Sequence, residues 1–427
     1  MTDPGEAERR GARRGLGSIV VDTRPLRIPA FRRLWTSTAV TAVGSQLTSV
    51  AVPKQVFDLT GSSGYVGLAS VVALVPLLIF GLWGGAIADT VDRRKLLLVT
   101  NIGIAVSVLL LWAQAFLEAG SVWLVFVLMA TLQAFVAVNM PARSAMVARL
   151  VPADLLSSAV ALNATTMVFG FVFGPMAAGA LLPVLGLPAL FLIDGAALLL
   201  MLPVVARLPA LPPLNGATRR AGLRDVVDGF RYLAAKKILL ASFLLDIIAM
   251  VVGMPRALFP EMAERTFGDP PGGGLALGWL YAAMAIGALA CGLASGWLTR
   301  IARHGVGVTV AVCAWGITMI GFGLADSLWL AVVFLALGGV ADFVSMVFRN
   351  AILQAAATDE MRGRLQGVNT VVVAGGPRLA DGVHGWAGAA VGTTAATTGG
   401  GVLVVLCALG AVALLPAFWR YRSQAAG

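Results

Sequence analysis

Residues 84–98, GGAIADTVDRRKLLL, place five charged side chains within seven positions between two long apolar runs. The chain as a whole is 59% hydrophobic and only 12% charged, whereas a soluble domain carries about 25% charged residues. The apolar runs on either side therefore predict helices in a lipid bilayer. The charged stretch predicts a loop that joins two of these helices outside the hydrocarbon core.

Apolar runs of similar length recur along the whole chain. A helix crosses the bilayer core with about 20 apolar residues, and a helix satisfies its own backbone hydrogen bonds there. We number twelve such runs as spans 1 to 12, and they lie at about 34–57, 65–88, 96–117, 121–142, 158–182, 187–206, 239–260, 273–298, 306–325, 328–348, 365–390 and 398–419. The sequence therefore predicts an all-α polytopic membrane protein with twelve transmembrane helices.

The basic residues follow this predicted topology. With a cytoplasmic N-terminus, the cytoplasmic segments hold all of the 31 Lys and Arg except Lys54, Arg256, Arg265 and Arg378. This is the positive-inside distribution, and it predicts a multi-pass protein of the plasma (inner, cytoplasmic) membrane with both termini cytoplasmic. The net charge of +10 is then explained by basic residues at the cytoplasmic face of the lipid bilayer. The predicted partner is therefore the bilayer and not a nucleic acid.

The chain divides into two halves. Arg143 aligns with Arg349, and Gly170 with Gly376, when the sequence is shifted by 206 residues. Internal repeats of this kind build many secondary transporters, so we predict two pseudo-symmetric six-helix bundles. The predicted units are an N-terminal cytoplasmic segment at 1–33, a first bundle at 34–206, a central linker at 207–238, a second bundle at 239–419 and a cytoplasmic tail at 420–427.

The opening stretch is then the cytoplasmic loop between spans 2 and 3. Gly85, Asp89, Arg93 and Arg94 fit the pattern Gly-x-x-x-Asp-x-x-x-Arg-Arg/Lys, and this loop resembles the signature of the major facilitator superfamily. With the spans, the linker and the repeat, the resemblance covers the chain from about residue 24 to 420. It implies the major facilitator fold and transport by alternating access.

Asp89 is the member of this motif that needs a separate explanation. The positive-inside rule accounts for Arg94 and Lys95 as loop anchors, but an acid at a helix C-terminus is disfavoured by the helix dipole. In the superfamily the equivalent acid meets the start of span 11, where Arg362 and Arg364 are available here. The resemblance therefore implies a cytoplasmic gate, and we expect Asp89→Asn to abolish transport while leaving membrane insertion intact.

Span 5 contains the segment GFVFGPMAAGALL, with Gly170, Gly174, Pro175 and Gly179. Small residues four apart allow close helix contact, and a proline within a helix favours a kink, so packing alone accounts for the pattern. The segment also resembles the antiporter motif of drug–proton exporters in the superfamily, although Ala178 stands where a second glycine is usual. The resemblance implies export rather than uptake.

Further segments narrow the resemblance to one branch of the superfamily. They are FRRLW, GSQLTSVAVPKQVFDLTGSS, VPADLLSSAVALN and FLIDGAALLL, and they resemble the macrolide-efflux and siderophore-export proteins, including enterobactin-exporter-like proteins. Apolar runs with scattered Met and Phe and few charges favour a small amphipathic organic cargo, such as a drug, a siderophore or a secondary metabolite, although the same residues suit the core of any helix bundle.

Lys54 departs from this branch, where a neutral or aromatic residue is expected after the proline. Its long side chain can extend to the membrane interface. If it faces the cavity instead, it favours an anionic substrate. Asp194 in span 6 is the second candidate for a substrate-facing charge.

Ionisable residues inside membrane spans are costly and are functional candidates by default. Asp342 and Asp246 have no partner three or four residues away on the same helix, whereas Asp381 follows Arg378 by three positions. A carboxyl group without a partner charge can hold a proton in a low-dielectric interior, so we predict Asp342 and Asp381 as proton-coupling groups, with Asp246 third. Arg378–Asp381 is equally well explained as a structural ion pair. The predicted charge partners are Arg349, Arg378 and Arg143.

Other classes of protein fit the sequence less well. None of the four lysines follows a glycine, so the phosphate-binding loop of an ATP-driven pump is missing. The chain has two histidines and no HExxH or GxSxG segment, which argues against an enzyme and against a metal site. We therefore predict a proton gradient as the energy source, no cofactor, and function as a monomer. An uptake symporter of the same superfamily remains the alternative, followed by a receptor or scaffold without transport activity.

Overall fold

The computed structural model describes residues 22–212, 223–356 and 359–421. Within these ranges a few side chains lie outside the description, among them those of Asp89, Arg362 and Arg364. The predicted gate between Asp89 and the start of span 11 therefore falls outside the described residues.

The first half of the molecule is built from five helices, and the last of them contains two predicted spans. The helices are α1 (Pro29–Thr60), α2 (Ser63–Thr90), α3 (Arg93–Phe116), α4 (Val122–Leu150) and α5 (Leu156–Ala206).

Helix α5 turns back on itself at Gly186. This glycine has φ 74° and ψ 166°, outside the helical region, and left-handed φ values of this kind favour glycine. Pro183 and Pro188 flank the turn and remove backbone donors that a continuous helix needs. Spans 5 and 6 are therefore joined by a sharp turn rather than by a loop.

The described residues of the second half form nine α-helices, several of them short. They are α6 (Leu223–Ala235), α7 (Lys237–Gly253), α8 (Phe259–Arg265), α9 (Leu275–Leu293), α10 (His304–Gly323), α11 (Leu328–Ala356), α12 (Asp359–Val391), α13 (Thr393–Leu414) and α14 (Pro416–Trp419).

Two details of the second half differ from the sequence prediction. The predicted linker at 207–238 contains the amphipathic helix α6, and span 7 is interrupted after Gly253 by a short 3₁₀ turn at Arg256–Leu258. Pro255 precedes that turn and Pro260 begins the next helical segment. Prolines at these positions end one helix and start another, which explains the interruption.

Nine helical segments in the described ranges are long and apolar enough to cross a membrane by length and composition. One of them, at 153–206, contains spans 5 and 6. Spans 1 and 11 lie in α1 and α12, which carry more polar residues and are not among the nine. Each of the twelve predicted spans therefore coincides mainly with described helix in this all-α membrane protein, and span 7 is divided between two helices.

The two halves meet along two helix pairs, α2 with α12 and α5 with α9. Glycines allow both pairs to pack closely. A Cβ atom on Gly385 would lie 2.9 Å from Gly67 Cα, and one on Gly179 would lie 2.8 Å from Gly278 Cα. Backbone contact of this kind is typical of small residues in membrane helices.

The two ends of the bundle can be named by their residues. The linker end is the end where Arg33 donates to the carbonyl oxygen of Arg207 at 3.0 Å. The far end holds the turn between α1 and α2, together with α8 and residues 266–274. Helix α1 runs from the linker end to the far end.

Candidate functional site

The arginines of the opening motif bind backbone carbonyls at the linker end. Arg93 donates to Ala145 O at 3.4 Å, and Arg94 donates to Leu208 O at 3.2 Å. Asp92 caps α3, because its carboxylate accepts from the backbone N–H of Arg94 at 2.8 Å. An acid directly before an apolar helix is a recognised N-cap signal, which the sequence analysis treated only as an extra charge.

The glycines of span 5 serve two different interfaces. A Cβ on Gly170 would lie 3.2 Å from Ala42 O, and Gly174 faces Gln46, so both pack α5 against α1 within the first half. Gly179 faces α9 of the second half, and Pro175 is buried between them. The span 5 motif therefore contributes both to the packing within the first half and to the contact between the two halves.

A cavity of about 360 Å³ lies in the middle of the second half. Its size is at the lower end of the range for small-molecule sites. Its wall is mainly apolar and is formed by Phe171, Asp246, Ala249, Met250, Met254, Met284, Ala311, Val312, Trp315, Ala341, Asp342, Ser345, Val373 and Pro377. Among these residues only Phe171, on α5, comes from the first half.

Three of the predicted charges meet at this cavity. Arg349 on α11 forms an ion pair with Asp246 on α7, and its other terminal nitrogen lies 3.8 Å from Asp342 Oδ1. The Asp246 side chain is 8% exposed, whereas that of Asp342 is 51% exposed. Asp246 therefore finds its partner across the bundle, and Asp342 presents its carboxyl group to the cavity with one cation beside it.

Asp381 lies between the two halves instead of lining the cavity. Ser70 on α2 donates to Asp381 Oδ2 at 2.8 Å. In the described part of the chain Arg378 and Asp381 form no direct ion pair, although Arg378 and Arg256 both act electrostatically on the Asp381 carboxyl group. Three residues on one helix turn are close enough to pair, but the Asp381 carboxyl group is engaged by Ser70 instead.

Arg143 on α4 is the counterpart of Arg349 in the first half. It precedes the end of its helix at Leu150 by seven residues, as Arg349 precedes Ala356. Its described hydrogen bonds go to neutral groups, Thr38 Oγ1 at 2.6 Å and Asn139 Oδ1 at 3.3 Å. The two halves therefore place an arginine at the same position but surround it with different chemistry.

Asp194 is buried away from the cavity, against α1. It is 2% exposed and accepts a hydrogen bond from Thr48 Oγ1 at 2.5 Å. A Cβ on Gly44 would lie 2.6 Å from its Oδ1 atom, so α1 approaches closely because residue 44 is glycine. In this conformation Asp194 does not line the cavity.

Lys54 is 1% exposed, so the interpretation that it extends to the membrane interface is wrong. Its ammonium group pairs with Asp58 on the same helix and with Glu264 Oε2 on α8 at 2.9 Å. A buried ammonium group needs such partners to offset its desolvation. The Lys54–Glu264 bond crosses from the first half to the second at the far end.

Two more contacts cross between the halves nearby. Ser63 donates to Glu261, and Arg265 donates to Gly61 O at 3.3 Å. Within α8, Arg265 also pairs with Glu261 at 2.5 Å. Together with Lys54, Asp58 and Glu264 these residues form what we call the far-end cluster. The sequence analysis did not assign these acids to a site, although Glu261 and Glu264 lie one turn apart on a short helix.

The described residues contain no group of three or more His, Cys, Asp or Glu side chains placed to hold a metal ion. The chemistry available at the cavity is therefore that of carboxyl groups, a guanidinium group and apolar side chains. An acid that faces a water-accessible cavity can exchange a proton or bind a cation.

Two helical halves that meet along two close helix pairs, with a cavity in the second half, fit a membrane transporter of the major facilitator superfamily. The chain belongs to the transmembrane secretion effector family, whose model matches residues 21–424. The family and its relatives are transporters rather than enzymes.

Relatives include the enterobactin exporter EntS of Shigella boydii serotype 18 and that of Escherichia coli O139:H28. Each is 28% identical to this chain over 379 residues, which is 88% of this chain and 90% of the relative. These relatives and the described helices make the protein a multi-pass membrane transporter.

Solved structures share the fold at low identity. A bacterial homologue of the human lysosomal transporter Spinster, in an inward-facing and occupied conformation, gives a TM-score of 0.69 at 15% identity and covers 95% of this chain and 100% of its own. A D-xylose–proton symporter gives a TM-score of 0.66 at 14% identity, with 92% and 98% covered.

Proposed function

We propose that this protein exports a small amphipathic organic molecule in exchange for protons, by alternating access of the cavity in the second half. The observation that carries the proposal is Asp342, whose half-exposed carboxyl group lies at the cavity wall beside Arg349. This acid can be protonated from the cavity without moving any helix, and its charge acts directly on a molecule bound there. It is the preferred proton-coupling group, ahead of Asp246 and Asp381.

The contacts between the halves support alternating access. The far-end cluster and the crossing of Gly179 with Gly278 hold the halves together at the far end. We take this as the conformation in which the cavity is reached from the linker end, which the distribution of Lys and Arg places in the cytoplasm. Opening the far end requires Lys54 to separate from Glu264.

The direction of transport rests on the span 5 motif and on relatives that are named as exporters. An uptake symporter would use the same fold. The two directions differ in whether cells that express the chain lose or gain cargo when a proton gradient is present.

The experiment is to express the chain in cells and to measure accumulation of a panel of dyes and antibiotics, with and without a protonophore. Export predicts lower accumulation than in cells that do not express the chain. This difference should disappear with the protonophore and with Asp342→Asn. The matched control is Asp326→Asn, which removes an exposed acid in the loop between α10 and α11. Protonophore-sensitive higher accumulation would instead establish uptake, and no change for any compound at equal membrane abundance would count against the proposal.

A further inference from the structure

Negative charges outnumber positive charges around the cavity in the second half. Both charged residues in its wall, Asp246 and Asp342, are acids. The cation beside them, Arg349, is paired with Asp246 and is 14% exposed, whereas Asp342 is 51% exposed. The site therefore holds two carboxyl groups for one guanidinium group, and the less compensated carboxyl group is the one that faces the cavity.

Other buried cations of the described chain do not offset this excess. Lys54, the residue that pointed to an anionic cargo in the sequence, is held by Asp58 and Glu264 at the far end. Arg143 is bound to Thr38 and Asn139 in the first half. Arg256 and Arg378 act electrostatically on Asp381, between the halves. None of these four cations is part of the cavity wall.

The apolar part of the wall is also suited to a cation with an aromatic body. Trp315 is held in place by its Nε1–H, which donates to Ala249 O at 3.1 Å, and Phe171 faces the same cavity from the first half. Aromatic rings attract organic cations through their negative faces. Met250, Met254 and Met284 add flexible, polarisable surface that can adapt to different shapes.

We infer that the cargo of this cavity is a monovalent organic cation with an apolar or aromatic body, and that Asp342 is its counter-ion. The inference rests on the proposed function because it assigns the cargo class of the same cavity. It replaces the anionic cargo suggested by Lys54. An anion would meet the excess negative charge of the two acids, and a neutral molecule would leave Asp342 with Arg349 as its only partial compensation.

The test uses the purified full chain and two ions of nearly the same shape and opposite charge, tetraphenylphosphonium and tetraphenylborate. Binding of each ion is measured to the wild-type chain and to Asp342→Asn, so that partition into the detergent micelle cancels in the ratio of the two dissociation constants. We expect tetraphenylphosphonium to bind the variant about tenfold more weakly than the wild type, which corresponds to about 1.4 kcal/mol. Tetraphenylborate binding should not weaken.

Two further variants make the result specific. Asp342→Glu keeps the negative charge and should retain most of the tetraphenylphosphonium binding, whereas Asp326→Asn should leave it unchanged. Monodispersity in size-exclusion chromatography shows whether each variant is folded. The inference would be overturned if Asp342→Asn changed the binding of both ions equally. It would also be overturned if the wild type bound tetraphenylborate more tightly and Asp342→Asn lost that binding.

Binding needs no ion gradient, so the cation site and proton-driven export can be contradicted independently of each other. Charge-selective binding without any transport in cells would contradict proton-driven export and support the cation site. Protonophore-sensitive export of neutral or anionic compounds alone, with no charge-selective binding, would contradict the cation site and support export.

Discussion

The far-end cluster and the cavity use the same kinds of charged residue in opposite ways. At the far end, the bond from Lys54 to Glu264 joins the first half to the second. In the cavity, Asp246, Asp342 and Arg349 all belong to the second half. When the halves move relative to each other, the far-end bonds must break, whereas the cavity bonds can persist. The far-end charges are therefore suited to holding a conformation, and the cavity charges to responding to protons or cargo.

The largest effect is expected when one member of the cavity pair is removed. Arg349→Gln leaves Asp246 buried without its partner, and breaking a buried ion pair in this way costs about 3–5 kcal/mol. We expect less monodisperse protein and a much lower midpoint of thermal unfolding in detergent. The double variant Asp246→Asn/Arg349→Gln should recover much of the stability, and a double variant no more stable than Arg349→Gln would contradict the pairing.

A change of shape at the interface between the halves should act on transport more than on folding. Gly179→Leu places a side chain where a Cβ already lies 2.8 Å from Gly278 Cα, so the far end cannot close. We expect transport to fall by at least about tenfold, since alternating access needs both conformations. Gly410→Leu is the control, because a Cβ there meets nothing within 4 Å. Equal transport by the two variants would show that the close crossing is not needed.

Neutralising one far-end acid should have a smaller effect. Glu264→Gln weakens the bond from Lys54 but leaves Asp58 as a partner, so the chain should fold while the far end opens more often. We expect a severalfold faster reaction of a cysteine introduced at the exposed Pro271, beside Asp58 and Glu264, with a membrane-impermeant thiol reagent. The background is a chain in which Cys291, Cys313 and Cys407 are replaced. An unchanged labelling rate would argue against a role for Glu264 in holding the far end closed.

The smallest effect is expected at Asp194, which lies outside the cavity. Asp194→Asn keeps an oxygen acceptor for Thr48, and a single neutral hydrogen bond contributes about 1 kcal/mol. Transport should stay within about twofold of the wild type in the same efflux assay. A loss as severe as that of Asp342→Asn would move proton coupling, or part of it, to the first half.

The fold could be predicted from the sequence because hydropathy and the positive-inside rule act locally along the chain. Spans 5 and 6 were located, but the tight turn at Gly186 that joins them carries no hydropathy signal. Hydropathy also does not show the interruption after Gly253, because the apolar run continues through Pro255 and hides the end of the helix.

The candidate site could be predicted only in part, because its contacts join residues that are distant in sequence. Asp342 and Arg349 lie two turns apart on one helix, and that proximity can be read from spacing. The pairing of Arg349 with Asp246 cannot, and neither can the pairing of Lys54 with Glu264, which lies 210 residues away. A hydropathy pattern shows that Lys54 is expensive to bury, but not which acid compensates it.

The central claim is that Asp342 couples cargo to protons, and proton movement in proteoliposomes tests it most directly. Cargo is added to one side, and the internal pH is followed with a pH-sensitive dye, while cargo exchange without a gradient is measured in parallel. The account predicts cargo-dependent proton movement by the wild-type chain, and its loss in Asp342→Asn vesicles that still exchange cargo. Proton movement of wild-type size in Asp342→Asn would contradict the account.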